Sequence, residues 1–180
     1  MLLIVDNGSI YTQNLIDFLK EEKILFEKLS PYELEIKSFE KYDSFILSGR
    51  RKNEKKINQI NSKIIKYCIQ NNKKLLGICY GAEILSLTLG GTIRRLETSQ
   101  KGNEEVSIHR KNVLVNEKIN VFESHGFEIS KLPNLLISLA DSKNCKHELI
   151  QYDGKFIFGT QFHPEMTSDG KDLIHKFCFL

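Results

Sequence analysis

The sequence predicts an α/β fold: an open, mostly parallel sheet flanked by helices on both faces, with an additional region of short strands in the second half. Three observations lead to it. The first half alternates short apolar runs with segments of helical spacing, the rhythm of parallel strands joined by crossover helices. One apolar run ends in Gly77-Ile78-Cys79-Tyr80-Gly81, a tight strand-to-helix turn with a cysteine at its tip. The second half loses the helical rhythm and is punctuated by turn residues, among them Asp153-Gly154, a strong hairpin signal.

Leu2–Val5 is all apolar, as expected of a strand buried on both faces. After Asn7-Gly8-Ser9, residues 10–22 place Leu15, Ile16 and Leu19 at helical spacing. Residues 24–28 read as a second strand, residues 31–37 as a short helix or turn, and Ser44–Leu47 as a third strand that ends at Ser48-Gly49. Residues 54–71 form the clearest helix: Ile57, Ile60, Ile64, Ile65, Cys68 and Ile69 make one apolar stripe. Lys74–Ile78 is a fourth strand, followed by a helix that Gly90-Gly91 stops. Residues 106–108, 113–115, 135–139, 149–152 and 156–159 read as short strands, and residues 170–179 as a last helix.

The 180 residues suit one compact domain, 1–180, with no linker long enough to divide it. The net charge is only +3 and the charges are mixed in sign, which argues against nucleic-acid binding. No stretch approaches the roughly 20 apolar residues of a membrane helix, and the first residues lack the pattern of a signal peptide. The four cysteines are widely scattered, so a cytoplasmic, reducing location is expected. Cys145-Lys146-His147 and His175-x-x-Cys178 each lack a second matching pair, so no metal site and no cofactor are expected.

Cys79 is the candidate nucleophile. Glycines on both sides allow a tight turn, and the tip is expected to face solvent at the carboxyl edge of the sheet. The unpaired N–H groups at the start of the following helix favour an anion, which is expected to lower the Cys79 pKa below ~8.5. The N–H of Tyr80 would face an oxyanion formed at an attacked carbonyl. Cys68 lies on a helix stripe, and Cys145 and Cys178 lack any comparable setting, so these three read as packing residues.

Of five histidines, His163 has the informative context: the strand-like residues 156–162 end at His163-Pro164-Glu165. Proline stops the strand and leaves His163 and Glu165 able to face one side. Glu165 can then orient a His163 base toward Cys79.

Gly77-Ile78-Cys79-Tyr80-Gly81 followed by Gln161-Phe162-His163-Pro164-Glu165 resembles the triad-type, class I glutamine amidotransferases, over most of the chain. Ile46-Leu47-Ser48-Gly49 is similar to the strand and loop that supply their second oxyanion donor, here the backbone of Arg50 after Gly49. Ser124-His125-Gly126 brings the resemblance nearest to the separate glutaminase subunits of archaeal GMP synthase, ahead of those of anthranilate or aminodeoxychorismate synthase. The resemblance implies L-glutamine as substrate, a Cys79 thioester, and ammonia passed to an ATP-dependent synthetase subunit, foremost the GMP-synthetase ATPase subunit. It also implies that Gly49, His125 and Gly126 bind the substrate; Glu83 is a further candidate, a carboxylate that either binds the substrate ammonium or, if close to Cys79, disfavours the thiolate. Three positions depart from the family's pattern: Glu83 stands where Gln is usual, Arg50-Arg51-Lys52 where Gly and Pro are usual, and Phe127 where an acid is usual. A stand-alone γ-glutamyl amide hydrolase and a non-catalytic homologue are the competing readings.

Overall fold

The computed structural model describes residues 1–34 and 36–180, and side chains other than those of residues 35–38. The strands are β1 (Leu2–Val5), β2 (Phe26–Leu29), β3 (Ser44–Leu47), β4 (Lys74–Ile78), β5 (Thr92–Ile108), β6 (Ile119–Lys131), β7 (Leu136–Asp141), β8 (Leu149–Tyr152) and β9 (Ile157–Thr160). The helices are α1 (Thr12–Glu21), α2 (Lys55–Gln70), α3 (Tyr80–Thr88) and α4 (Ser168–Cys178). Short 3-10 turns lie at Pro31–Glu33, Ile36–Lys41 and Pro164–Met166. The expected helix or turn over 31–37 is thus met at its start, while residue 35 lies outside the described residues.

The sheet has nine strands in the order β2-β1-β3-β4-β9-β8-β7-β5-β6. The five from β2 to β9 are parallel, as expected from the alternating first half. The remainder are antiparallel, and Asp153-Gly154 makes the β8–β9 hairpin.

Alternation along the parallel strands divides the core in two. Leu2, Ile4, Ile46 and Phe158 face one side and pack with Leu15 and Leu19 of α1 and Ile174 and Phe177 of α4. Leu3, Val5, Phe45, Leu47 and Leu75 face the other and pack with Ile64 and Ile65 of α2 and Leu85 of α3. Helices therefore cover both faces, and all four side chains of β1 are buried.

Two expectations change. Residues 113–115 form a loop, not a strand. Leu114 and Val115 are buried there, and the Asn112 side chain accepts both of their N–H groups at 2.9 Å. The backbone is satisfied by one side chain, so no ladder is required. Conversely, the strand expected at 106–108 is the end of a 17-residue strand, β5, which pairs with β6 in a long ribbon. Its outer part carries Arg94, Arg95, Lys101, Glu104 and Glu105 on a largely exposed surface, so it has no apolar run to reveal it.

Candidate active site

The turn at Cys79 has the geometry its glycines require. Cys79 caps the N-terminus of α3 with φ 51° and ψ −102°, a conformation that L-residues adopt only under constraint. The constraint is backbone: Cys79 donates its N–H to Thr160 O at 2.7 Å, and its carbonyl accepts from Ala82 and Glu83. A Cβ at Gly77 would lie 2.4 Å from the Gly81 backbone, and one at Gly81 would lie 2.4 Å from Leu47 O. Neither position accepts a side chain, because helix α3 starts directly against β3 and β4.

His163 stands at the end of β9, the neighbour of β4. Its Nδ1 lies 2.9 Å from Glu165 Oε1, with both side chains almost wholly buried. In that contact the Nδ1–H donates to the carboxylate oxygen, which leaves the Nε2 lone pair free. The backbone N–H of His163 donates to Phe122 O in β6 at 2.8 Å. The Tyr11 ring packs edge-on against the imidazole, 4.6 Å between centroids, and Tyr11 donates to Ser124 Oγ at 3.1 Å. Gly49 is adjacent as well, since a Cβ there would lie 3.0 Å from His163 Cε1.

A cavity of about 240 Å³ opens over Cys79 and is bounded by Arg50, Arg51, Tyr80, Glu83, His125 and Phe127. It is smaller than the ~300 Å³ lower end for drug-sized ligands and suits an amino acid. Six of the sequence-identified residues meet here: Cys79, Tyr80, Arg50, Glu83, His125 and Gly126. Gly49, His163 and Glu165 are not among its lining residues, and Gly49 and His163 lie against each other. The chain therefore brings the whole set to one end of the parallel strands.

Charge at this cavity is organised around Arg50. Its guanidinium lies over the Tyr80 ring at 4.3 Å, donates to Asn53 and Asn58, and comes within 3.9 Å of Glu83. Glu83 also accepts from Gln161 Nε2 at 3.5 Å. Burial holds the Glu83 carboxyl above its ordinary pKa, with Arg50 opposing the shift. Tyr80 is pushed up to about 12, chiefly by burial. At His125 burial works against the charged form, but Glu123, 3.0 Å away, and the Phe127 carbonyl outweigh it and raise the pKa.

The expected low pKa of Cys79 is corrected by the structure. The thiol is buried, not turned to solvent, and its pKa lies well above the ordinary value. Desolvation is the main cause, and Glu83, Glu165 and Glu123 add negative potential. The Tyr80 N–H does favour the thiolate, as the helix-start argument requires, but it is outweighed. Tyr11 carries no signal in the sequence, although it packs on His163 and donates to Ser124. Its contacts are made across the fold, outside any local motif.

Cys145 is buried, while His175 packs on Phe179 and pairs with Glu22 at 3.4 Å.

Comparison with known proteins agrees with this geometry. The family model described as "Glutamine amidotransferase class-I" matches residues 3–179. The glutamine-hydrolyzing GMP synthase subunit of Methanocaldococcus jannaschii is 32% identical, over 99% of this chain and 96% of that protein. The GMP synthase of Lactobacillus johnsonii is 29% identical over 99% of this chain but only 35% of its own, longer one. The crystal structure of a candidate GMP synthase subunit from Thermoplasma acidophilum superposes with a TM-score of 0.87 at 26% identity, covering 99% of this chain and 92% of that one. With its cysteine turn, its buried His–Glu pair and these likenesses, the chain belongs to the class I glutamine amidotransferases.

Proposed function

We propose that this chain is the glutaminase subunit of a GMP synthase, hydrolysing L-glutamine and supplying ammonia to a separate ATP-dependent synthetase subunit. The observation that carries the reading is the placement of Cys79 and His163 at the ends of adjacent strands, with Glu165 holding His163 and an amino-acid-sized cavity above. The full-length likeness to the glutamine-hydrolyzing subunits of other GMP synthases supports the choice of partner. No described helix is long and apolar enough to cross a membrane.

The cavity presents a carboxylate, Glu83, beside the guanidinium groups of Arg50 and Arg51. That pairing complements an amino-acid zwitterion: Glu83 takes the α-ammonium and the arginine side the α-carboxylate. The backbone at His125-Gly126 closes the same end of the site. The side-chain amide of glutamine is then directed to Cys79.

Because the thiol is held protonated in the free protein, attack requires its proton to move as the C–S bond forms. His163 Nε2 takes that proton, and Glu165 stabilises the imidazolium through Nδ1. The Tyr80 N–H, joined by the backbone at Arg50, holds the oxyanion. His163 then protonates the departing nitrogen, so ammonia leaves and a γ-glutamyl thioester remains. Water, deprotonated by His163, cleaves the thioester to glutamate and regenerates the thiol.

The test is glutamate release from glutamine by the purified chain, alone and with a GMP-synthetase ATPase subunit, its nucleotide substrate and ATP, with Cys79→Ala as control. Cys79-dependent release that rises with the partner supports the reading. Cys79-dependent release indifferent to the partner rejects this synthetase and retains the chemistry. No release in any mixture rejects glutamine as the substrate.

A further inference from the structure

The two residues whose backbone is assigned to the oxyanion, Tyr80 and Arg50, are also joined through their side chains. Arg50 lies in the loop after β3, and Tyr80 starts α3 just after β4, the neighbour of β3 in the sheet. The Arg50 guanidinium stacks over the Tyr80 ring at 4.3 Å. A third residue, Asn58 in the first turn of α2, ties the pair together. Its Oδ1 accepts the Tyr80 hydroxyl at 2.8 Å and Arg50 Nη1 at 3.2 Å. Arg50 Nη1 also donates to Asn53 Oδ1 at 2.8 Å, and the same oxygen accepts Asn58 Nδ2 at 3.0 Å. Four side chains thus form a closed circuit of contacts.

The circuit fixes both the place and the plane of the guanidinium. Nη1 has two protons, and each is given to one asparagine oxygen; Asn58 Oδ1 has two lone pairs, and each takes one donor. The planar fork is then held by these bonds along one edge and by the Tyr80 ring on one face. Nη2 remains turned to Glu83, 3.9 Å away, at the cavity. Tyr80 is buried and the Arg50 side chain is mostly so, which limits competition from water. The loop has little else to hold it. Apart from one backbone bridge between Arg50 and Gly8, residues 49–54 have no regular structure, and Arg51 and Lys52 are exposed. A backbone donor stabilises a developing oxyanion only if it already points at it, so a restraint on this loop bears directly on the chemistry.

We propose that Asn58 is a positioning residue for glutamine hydrolysis. By holding the Tyr80 hydroxyl and the Arg50 guanidinium on one oxygen, it sets the Arg50 backbone against the Tyr80 N–H before substrate arrives. That these two groups serve an oxyanion rests on the function proposed above. Asn58 does not line the cavity over Cys79, so it acts through Arg50 and Tyr80 and touches no substrate. Arg50, which departs from the family's usual Gly and Pro at this loop, gains a use: its side chain aims its own backbone.

The experiment compares the parent with Asn58→Ala, Tyr80→Phe and the double variant in steady-state glutamine hydrolysis. Hydrogen–deuterium exchange of the backbone amides of residues 49–54 is followed in parallel, without substrate. Asn58→Ala is expected to lower kcat roughly 10- to 100-fold with little change in KM. Tyr80→Phe keeps the stacked ring and loses one bond, so its kcat should fall less. The double variant should lose no more than Asn58→Ala alone, because the Tyr80 hydroxyl acts through Asn58. Loop exchange should quicken in Asn58→Ala. Asn58→Asp, which keeps an acceptor for both donors, should recover most of the lost kcat. Alkylation of Cys79 by iodoacetamide, which forms no oxyanion, should proceed at the parent's rate in Asn58→Ala, whereas general disruption of the site would change it. An active parent with unchanged kcat in Asn58→Ala, a loss confined to KM, losses that multiply in the double variant, or unchanged loop exchange would each overturn the proposal and leave the proposed function standing. Should Asn58→Ala not fold, Tyr80→Phe and Asn58→Asp decide the matter: loss in the first with retention in the second supports the role, and any other pairing rejects it. A parent that hydrolyses no glutamine rejects the proposed function and this role with it, whatever the loop exchange.

Discussion

His163 Nδ1 and Glu165 Oε1 are 2.9 Å apart inside the protein, and the residue between them is a proline. The proline begins the 3-10 turn Pro164–Met166, which bends the chain so that two neighbouring polar side chains face each other. If this contact sets the imidazole tautomer, its loss damages turnover more than binding. His163→Ala is expected to lower kcat for glutamine hydrolysis by roughly 10²–10⁴-fold. Glu165→Gln should lower kcat with a much smaller change in KM. Steady-state kinetics on the two variants checks both, and a Glu165→Gln effect confined to KM would remove Glu165 from the proton path.

Cys79 is expected to be a poor nucleophile toward simple reagents and a good one toward a substrate-like one. Its raised pKa keeps the thiol protonated near neutrality, so iodoacetamide should alkylate it more slowly than free cysteine at pH 7.5. A chloroketone analogue of glutamine should label it readily, because occupancy places the electrophile beside the His163 base. Mass spectrometry of the two labelling time courses makes the comparison. Rapid iodoacetamide labelling at neutral pH would contradict the electrostatics described.

Glu83 raises the Cys79 pKa and is itself raised by burial. The carboxyl adds no repulsion while it is protonated and repels the thiolate once it ionises. Glu83→Gln removes the second condition. The pH at which Cys79 becomes reactive toward iodoacetamide should therefore move down in the variant. The same substitution should raise KM for glutamine if Glu83 holds the α-ammonium. An unchanged alkylation profile would show that Glu83 does not act on the thiol.

Glu148 makes a prediction about stability. Its folded pKa lies well above the ordinary value, so between the two values the folded state binds more protons than the unfolded one. Stability from this group is present below the unfolded pKa of ~4.3 and is lost as pH rises through the folded value. Glu148→Gln abolishes that loss. The variant should melt higher than the parent at pH 8, by a margin larger than at pH 5. Each kcal/mol recovered corresponds to about 2–4 °C for a chain of this size. Calorimetry at the two pH values tests it, and equal margins would place the buried charge elsewhere.

Gly81→Ala should act through backbone geometry. The added Cβ would stand 2.4 Å from Leu47 O, a backbone atom that can yield only if α3 moves off β3. A loss of about 1–3 kcal/mol or more is expected, with glutaminase activity falling further than stability because Cys79 is displaced. Denaturant titration alongside kinetics separates the two effects.

The parts that carry the site are written locally in the sequence. Strand runs such as Leu2–Val5 and Ser44–Leu47 are buried on both faces and so lack any polar residue in their interiors. Gly77 and Gly81 announce the turn because nothing larger fits, and Pro164 announces the bend at His163. What is illegible depends on distance in the chain. The outer part of β5 is held by its ladder to β6, with a charged, largely exposed surface that reads as loop. The raised Cys79 pKa is hidden because a helix start is a local feature, whereas burial and the charges of Glu123 and Glu165 arrive from elsewhere in the fold. Tyr11 reaches His163 across more than 150 residues of sequence for the same reason.

Strand β9 lies between β4 and β8, in the middle of the sheet, yet it is the last strand of the chain. During synthesis the ribosome therefore releases β1 to β4 long before their central neighbour exists. Until then β4 offers the apolar residues Leu75, Leu76 and Ile78 on an unpaired edge, a surface open to wrong pairing with other nascent chains. Cys79 is made early, and His163 and Glu165 follow only after this final insertion. On the mechanism proposed above, a chain stopped ahead of residue 157 is expected to be prone to aggregate and inactive toward glutamine.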